Sequence, residues 1–267
     1  MKVQIASDIH LENFFGFGDK NVTYEDFAKK LDKLITPVPN TTLLVAGDVT
    51  RVADNHHVYA LFIKYISYHW NTAFIITGNH EYYTHSTKAT MEQINTYIKQ
   101  VTAAYPNVSF LDNQYAFIPG TNVILYGTTL WSKINVELDF PIYTDHGKIT
   151  KQMYNAFHKR ALEELEKLIT NLDKRRSAGQ DFKLVVLSHH APSHEYIELE
   201  NREMDDKDQL YSTDLHVYTK KKFIDTWICG HTHSNYDMFA NSSKKTRIIS
   251  NCQPLKPNFV KDLVIDI

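Results

Sequence analysis

Asp8 and His10, Asp48, Asn79 and His80, His189 and His190, and His231 and His233 each follow closely on a short apolar run of the chain. Imidazole nitrogens and carboxylate oxygens gathered in one place are ligands for divalent transition metals such as Mn, Fe, Zn and Ni. One catalytic metal takes three or four protein ligands, so a larger set points to two ions sharing a bridging carboxylate. Such a pair lowers the pKa of a bound water towards about 7 and clamps both ends of an in-line displacement. The chemistry expected of these residues is hydrolysis.

The runs that must present these groups are rich in β-branched residues and read as buried strands. They are Val3 to Ala6, Leu43 to Ala46, Phe74 to Thr77, Leu184 to Leu187 and Thr226 to Cys229. Two more, Val123 to Tyr126 and Leu263 to Ile267, carry no such ending. Small residues at the junctions let the backbone turn and let bulky side chains come close. In extended backbone, residues two apart share a side, which would present Asp8 and His10 together. The carboxyl ends of the strands of an α/β sheet form one rim where ligands bind, so these ends would fill one crevice.

Helical patterns lie between the runs. Thr23 with Asp26 reads as a capping box ahead of Phe27, Leu31 and Leu34. Further helices are expected over His56 to His69, over Thr87 to about Ala104 before Pro106, and over Thr150 to Leu172. The first hundred residues read as βαβ units with a parallel sheet. From Val108 to Trp131 strands follow one another, and the last part reads as strands and loops without a clear helix, which suggests a mixed second sheet. Ser132 to Lys148 and Ser193 to Asp214 are polar, aperiodic and read as surface insertions. Residues 1–267 are expected to form a single domain.

With 29 Lys plus Arg against 31 Asp plus Glu, the net charge of −2 supplies no global basic field, so an anionic substrate must be held locally. The Lys-rich runs at Lys174 to Arg176, Lys220 to Lys222 and Lys244 to Arg247 are short and separated, and read as solvated faces, with nucleic-acid contact as the lesser alternative. No stretch approaches the roughly 18 apolar residues of a membrane span, and the N-terminus lacks a signal-peptide core, so a cytoplasmic location is expected. Cys229 and Cys252 read as buried thiols. His56, His57, His69, His85, His146, His158, His194 and His216 do not repeat the strand-end placement and read as ordinary core or surface histidines.

The blocks Asp8-Ile9-His10, Gly47-Asp48, Gly78-Asn79-His80-Glu81, Ser188-His189 and Gly230-His231-Thr232-His233 resemble, in order, the motifs of the calcineurin-like metallophosphoesterases. The resemblance implies an α/β fold in which two mixed β-sheets pack as a sandwich flanked by helices, with a dinuclear metal site at one rim. It implies that Asp8, His10 and His233 hold one metal, that Asp48 bridges, and that Asn79, His189 and His231 hold the other. His80 would not be a ligand but would assist the leaving group, a task suited to a histidine. The family pattern selects His189 over His190, whereas the residues alone leave both open.

The protein-phosphatase branch usually continues the Gly-Asp block with Asp-Arg-Gly. Here Val49-Thr50-Arg51-Val52 follow Asp48, which argues against that branch and leaves Arg51 read as a surface residue, with contact to a substrate phosphate as the alternative. The expected cofactors are two divalent metal ions, with Mn favoured among Mn, Fe, Zn and Ni, and the expected partner is a phosphomonoester or phosphodiester substrate attacked by metal-bound hydroxide. Tyr82, Tyr83 and Phe14 stand beside these blocks, where they would line a substrate pocket or pack beneath the loops. Two other readings are a non-catalytic metal-binding interaction module on the same fold, and a two-metal amide hydrolase, against which Asn79-His80 argues.

Overall fold

Along the chain of this computed structural model come β1 (Lys2–Ala6), α1 (Tyr24–Leu31), β2 (Thr42–Val45), α2 (His56–His69), β3 (Thr72–Ile75) and α3 (Met91–Ala103). There follow β4 (Val108–Phe110), β5 (Gln114–Phe117), β6 (Val123–Thr128), β7 (Tyr143–Thr144), β8 (Gly147–Lys148) and α4 (Lys151–Ser177). The last part holds β9 (Lys183–Ser188), α5 (His216–Lys221), β10 (Thr226–Cys229), β11 (Tyr236–Phe239), β12 (Arg247–Ser250) and β13 (Val264–Asp266). The structure describes residues 1–16, 18, 20–196, 205–221, 223–240, 246–252 and 258–267.

The strands form two large sheets. One has the order β13-β1-β2-β3-β4 and is parallel except where β13 pairs with β1. The other has the order β11-β12-β10-β9-β6-β5, with antiparallel pairs at both edges of a parallel centre. Period-two alternation decides which side chains meet between them. Val3, Ile5, Leu44, Ala46 and Ile76 from the first sheet pack on Leu125, Val185, Leu187, Ile228 and Ile249 from the second. The other face of the first sheet packs Leu43, Val45, Ala73 and Ile75 against Phe27, Phe62, Ile66, Ile94 and Ile98 of α1, α2 and α3. Leu165, Ile169 and Leu172 of α4 cover Tyr126, Leu184, Val186 and Trp227 on the far face of the second. The fold is therefore the expected helix-flanked sandwich of two mixed sheets. Each such fully buried side chain contributes about 1.5–3 kcal/mol.

The capping residues set the helix starts. Thr23 Oγ1 accepts from the Asp26 N–H, and Thr90 and Gln93 form a reciprocal capping box, so α3 starts at Met91 rather than at Thr87. The segment from Val108 to Trp131 does not belong wholly to the second sheet. After α3 the chain crosses back to lay β4 parallel on the edge of β3, and only β5 and β6 join the second sheet. The last part does contain a helix, α5, whose six residues are too few to show a 3.6-residue period. The insertion from Ser132 to Lys148 carries the small β7–β8 hairpin. Residues 197–204 of the other insertion, and residues 222, 244 and 245 of the Lys-rich runs, lie outside the described residues.

Cys229 and Cys252 are buried free thiols. Among the described residues, no helix is long and apolar enough to cross a membrane.

Candidate metal centre

The five strand ends do converge, but on a seam between two sheets rather than on the rim of one. Asp8, Asp48 and Asn79 follow β1, β2 and β3 of the first sheet, and His189 and His231 follow β9 and β10 of the second. Nor does extended backbone present Asp8 and His10. Asp8, His10, Asp48, His231 and His233 all lie in the left-handed region, with φ of 54°, 49°, 54°, 67° and 53°. Each such non-glycine residue costs about 1–3 kcal/mol and persists only where its surroundings enforce it. Here Glu81 does part of the enforcing, since its buried carboxylate accepts the N–H groups of Asp48, Val49 and Gly78 at 3.0, 2.7 and 2.6 Å. Burial and then the Asp48 charge push the Glu81 carboxyl upward, against these donors.

Two glycines are required by close approach. A Cβ on Gly78 would collide with Asp48 Oδ1 and the His189 ring, and one on Gly230 would collide with Ser7 Oγ and Asp8 Oδ2. Glycine at these positions lets the second sheet bring its histidines against the first sheet's carboxylates.

Backbone acceptors fix the tautomers of one cluster. The His189 Nδ1–H donates to Ala46 O at 2.8 Å, and the His231 Nε2–H donates to Leu210 O at 3.1 Å. Asn79 Nδ2 donates to the Tyr83 hydroxyl at 3.0 Å, which turns Oδ1 the other way. His189 Nε2 then faces Asn79 Oδ1 at 3.0 Å, His231 Nδ1 at 3.1 Å and Asp48 Oδ2 at 3.3 Å. Four lone pairs thus aim at one buried point, an arrangement that only positive charge relieves. Burial pushes the His189 imidazole down, yet the Asp48 charge and hydrogen bond and the Asp8 charge together outweigh it and lift it to about 9, so that a proton on Nε2 supplies the positive charge which a cation would replace. Burial and then His189 push His231 down to about 3, which keeps its Nδ1 lone pair available.

The second cluster shares Asp48. His10 Nδ1–H donates to Glu12 Oε1 at 3.1 Å, which turns His10 Nε2 towards His233 Nε2 at 3.2 Å and Asp48 Oδ2 at 3.9 Å. Asp8 Oδ1 lies 3.2 Å from His233 Nε2, while the Asp8 carboxylate also accepts the Ser7 hydroxyl and the His231 N–H. The adjacent histidines hold Asp8 and Asp48 below the usual carboxylate range in spite of burial. Asp8, His10 and His233, and likewise Asp48, His189 and His231, offer ligand atoms within 4.8 Å of one another. This donor set, with one carboxylate between two clusters, fits two divalent cations.

All seven of the expected ligand positions are therefore brought together. His190 is turned aside. Its Nδ1–H donates to Thr129 O at 3.1 Å and its Nε2 pairs with the Tyr154 hydroxyl at 3.0 Å, so both ring nitrogens are engaged. His80 sits at the edge of the clusters, its backbone N–H donating to Asp48 Oδ1 at 2.8 Å and its Nδ1 lying 3.0 Å from Glu12 Oε1. Glu12, Glu81, Phe140, Tyr154 and Tyr211 are the site residues that sequence reasoning missed.

A cavity of about 210 Å³ opens over Asp48, Asn79, His80 and His231, walled by Tyr83, Phe140, Tyr154 and Tyr211. Phe14 packs against the core instead, and Tyr82 is buried against Trp131. Arg51 is half-buried rather than on the surface, with its guanidinium 5.9 Å from the centroid of the Tyr83 ring. The ordinary histidines include His57 on Val22 O, His69 on Tyr65 O and His158 on Leu130 O, each engaged away from the clusters.

Several solved structures share the arrangement of sheets and helices. A phosphopantetheinyl hydrolase from Mycobacterium tuberculosis matches with a TM-score of 0.60 at 13% identity, over 95% of this chain and 90% of that one. A Thermus thermophilus protein matches with a TM-score of 0.56 at 13% identity, over 95% and 89%. In sequence, an uncharacterised protein of Acanthamoeba polyphaga mimivirus is 24% identical over 251 residues, covering 86% of this chain and 84% of that one. Residues 1–235, which contain every strand end described above, match the calcineurin-like phosphoesterase family as a whole, and the chain belongs to that family.

Proposed function

We propose that this protein is a dinuclear metal-dependent phosphoesterase. Asp8, His10 and His233 would hold one divalent cation, Asn79, His189 and His231 the other, and Asp48 would bridge them. The observation that carries this reading is the set of four lone pairs, on His189 Nε2, His231 Nδ1, Asn79 Oδ1 and Asp48 Oδ2, held facing one another by donors to Ala46, Leu210 and Tyr83. Two cations bound there would acidify a water and neutralise charge on the phosphoryl oxygens.

The side chains of this chain supply the rest. His80 lines the cavity with Nδ1 committed to Glu12, which leaves Nε2 to protonate the departing alcohol oxygen. Asp48 Oδ1 fixes the His80 backbone, so acid and bridging carboxylate keep one spacing. The aromatic wall supports an ester whose alcohol is uncharged and compact, since the cavity is below the roughly 300 Å³ of common ligand pockets.

The test is hydrolysis of an alkyl phosphodiester, whose leaving alkoxide needs a proton, and the matching monoester by chelator-stripped protein, before and after Mn²⁺ is restored, beside His80→Ala. Metal-dependent turnover is expected, reduced about 100-fold or more in the variant. Absence of metal-dependent turnover on both esters would overturn the reading.

A further inference from the structure

Glu12 belongs to the short turn Leu11–Asn13, which starts from the left-handed backbone of His10 and folds the Glu12 side chain back beneath the His10 ring. That side chain is 5% exposed. One oxygen, Oε1, lies 3.1 Å from His10 Nδ1 and 3.0 Å from His80 Nδ1, and the two rings stand edge to face with centroids 4.4 Å apart. Oε2 is buried and, among the described residues, has no hydrogen-bond partner. A buried carboxylate is costly unless donors hold it, and here, among the described residues, the donors are two imidazoles and no backbone N–H. Glu81, by contrast, is held by three backbone N–H groups, as a structural carboxylate would be.

We infer that Glu12 is a positioning residue for the leaving-group step, acting through His80. This rests on the phosphoesterase reading and deepens it. Accepting the Nδ1–H of His80 fixes the tautomer and ring plane, so that the proton to be delivered sits on Nε2 and the imidazolium gains a facing negative charge. Water oxygen adds to phosphorus as the bond from phosphorus to the alcohol oxygen breaks. The bonding pair leaves on that oxygen, which takes the Nε2 proton, and the proton lost by the attacking water replaces it through solvent. Because the same Oε1 accepts from His10, the acid and one cluster of candidate ligands share a single anchor.

Glu12→Gln keeps size and an acceptor oxygen but removes the charge. It is compared with the wild type on two phosphodiesters that differ only in leaving group, p-nitrophenol and a simple alkyl alcohol. A nitrophenolate leaves without a proton and an alkoxide does not, so the expected loss is about 30-fold or more on the alkyl ester and under about 5-fold on the nitrophenyl ester. Mn²⁺ affinity by calorimetry should fall by no more than about 10-fold, since Gln still accepts from His10 Nδ1, and at saturating Mn²⁺ the double variant with His80→Ala should be no slower than His80→Ala alone. Glu12→Asp, with the charge retracted by one methylene, should show the same selective loss. On the metal-free protein, the hydrogen-bonded Nδ1–H resonance that His80→Ala removes from the nitrogen-15 spectrum should move upfield in Glu12→Gln, whose neutral amide oxygen accepts more weakly.

Equal losses on both esters, a further loss in the double variant, or a wild type lacking that resonance would overturn the role of Glu12. A wild type inert on both esters would instead overturn the phosphoesterase reading, and this inference with it.

Discussion

Asp48 Oδ2 lies 3.3 Å from His189 Nε2, across the seam between the two sheets, and the same oxygen lies 3.9 Å from His10 Nε2. A single carboxylate oxygen thus stands between the two clusters. Asp48→Asn should therefore lower metal-dependent esterase activity by about 100-fold or more, equivalent to about 2.7 kcal/mol, while the fold survives. Steady-state rates beside circular dichroism check this, and an unchanged rate sinks the bridging role.

Cation binding should appear as stability. A ligand at a hundredfold excess over its Kd contributes about 2.7 kcal/mol per site, a Tm rise of about 5–10 °C for a chain of this length. Thermal melts of chelator-stripped protein with and without Mn²⁺ measure it. His231→Ala, which removes one of the facing nitrogens, should lose most of the rise, and an equal rise in that variant would show that Mn²⁺ binds elsewhere.

The glycine at the end of β3 should be irreplaceable for geometric reasons. Gly78→Ala puts a methyl into Asp48 Oδ1 and the His189 ring, and should cost about 1–3 kcal/mol in urea unfolding together with the Mn²⁺-induced Tm rise. Gly16→Ala, whose methyl meets no atom within 4 Å, is the matched control and should change stability by less than about 0.5 kcal/mol.

Phe140 walls the cavity from the insertion between β6 and α4 and packs on Tyr83, with ring centroids 5.7 Å apart. Phe140→Ala should raise KM for an aryl ester about 3- to 10-fold with kcat within about twofold, since the ring contacts the alcohol portion alike in ground and transition states. A fall in kcat with KM unchanged would place Phe140 in the chemical step instead.

The acid limb of stability should contain a contribution from His158. Its ring is buried against Leu130 O, and burial outweighs that hydrogen bond to push its pKa below 6.5. The unfolded chain therefore takes up this proton at a higher pH than the folded chain does. The contribution is present above pH 6.5 and is lost as pH falls towards the folded value, with a slope of at most about 1.4 kcal/mol per pH unit. His158→Gln should flatten the limb in urea titrations over pH 4 to 7, and parallel limbs would sink the assignment.

The site was legible because each of its chemical groups follows an apolar run that could only be a buried strand. Val3 to Ala6 and Thr226 to Cys229 are bounded by residues that no core would accept, and that contrast survives without any knowledge of the fold. What sequence could not give is which strands share a sheet. Val108 to Phe110 alternates as an element of the second sheet would, and only the crossover after α3 assigns it to β3. His189 and His190 are equivalent by position, and the difference lies in Tyr154, 36 residues upstream, whose hydroxyl engages His190. Glu12 was passed over because an acidic residue just past a strand end usually faces water, and only the left-handed turn at His10 folds it inward.

One cluster draws its groups from the ends of β1 and β10 and the other from those of β2, β3, β9 and β10, so neither half of the chain contains a complete set. During synthesis, the ribosome would release β1 to β4 of the first sheet, with their carboxylates, long before the second sheet's histidines that face them exist. A partly made chain could therefore not capture a cation tightly, and premature loading with an abundant wrong metal would be avoided by the order of translation. The centre closes when residue 233 joins residues 8 and 10, which makes cation capture a late event and a marker of a finished fold.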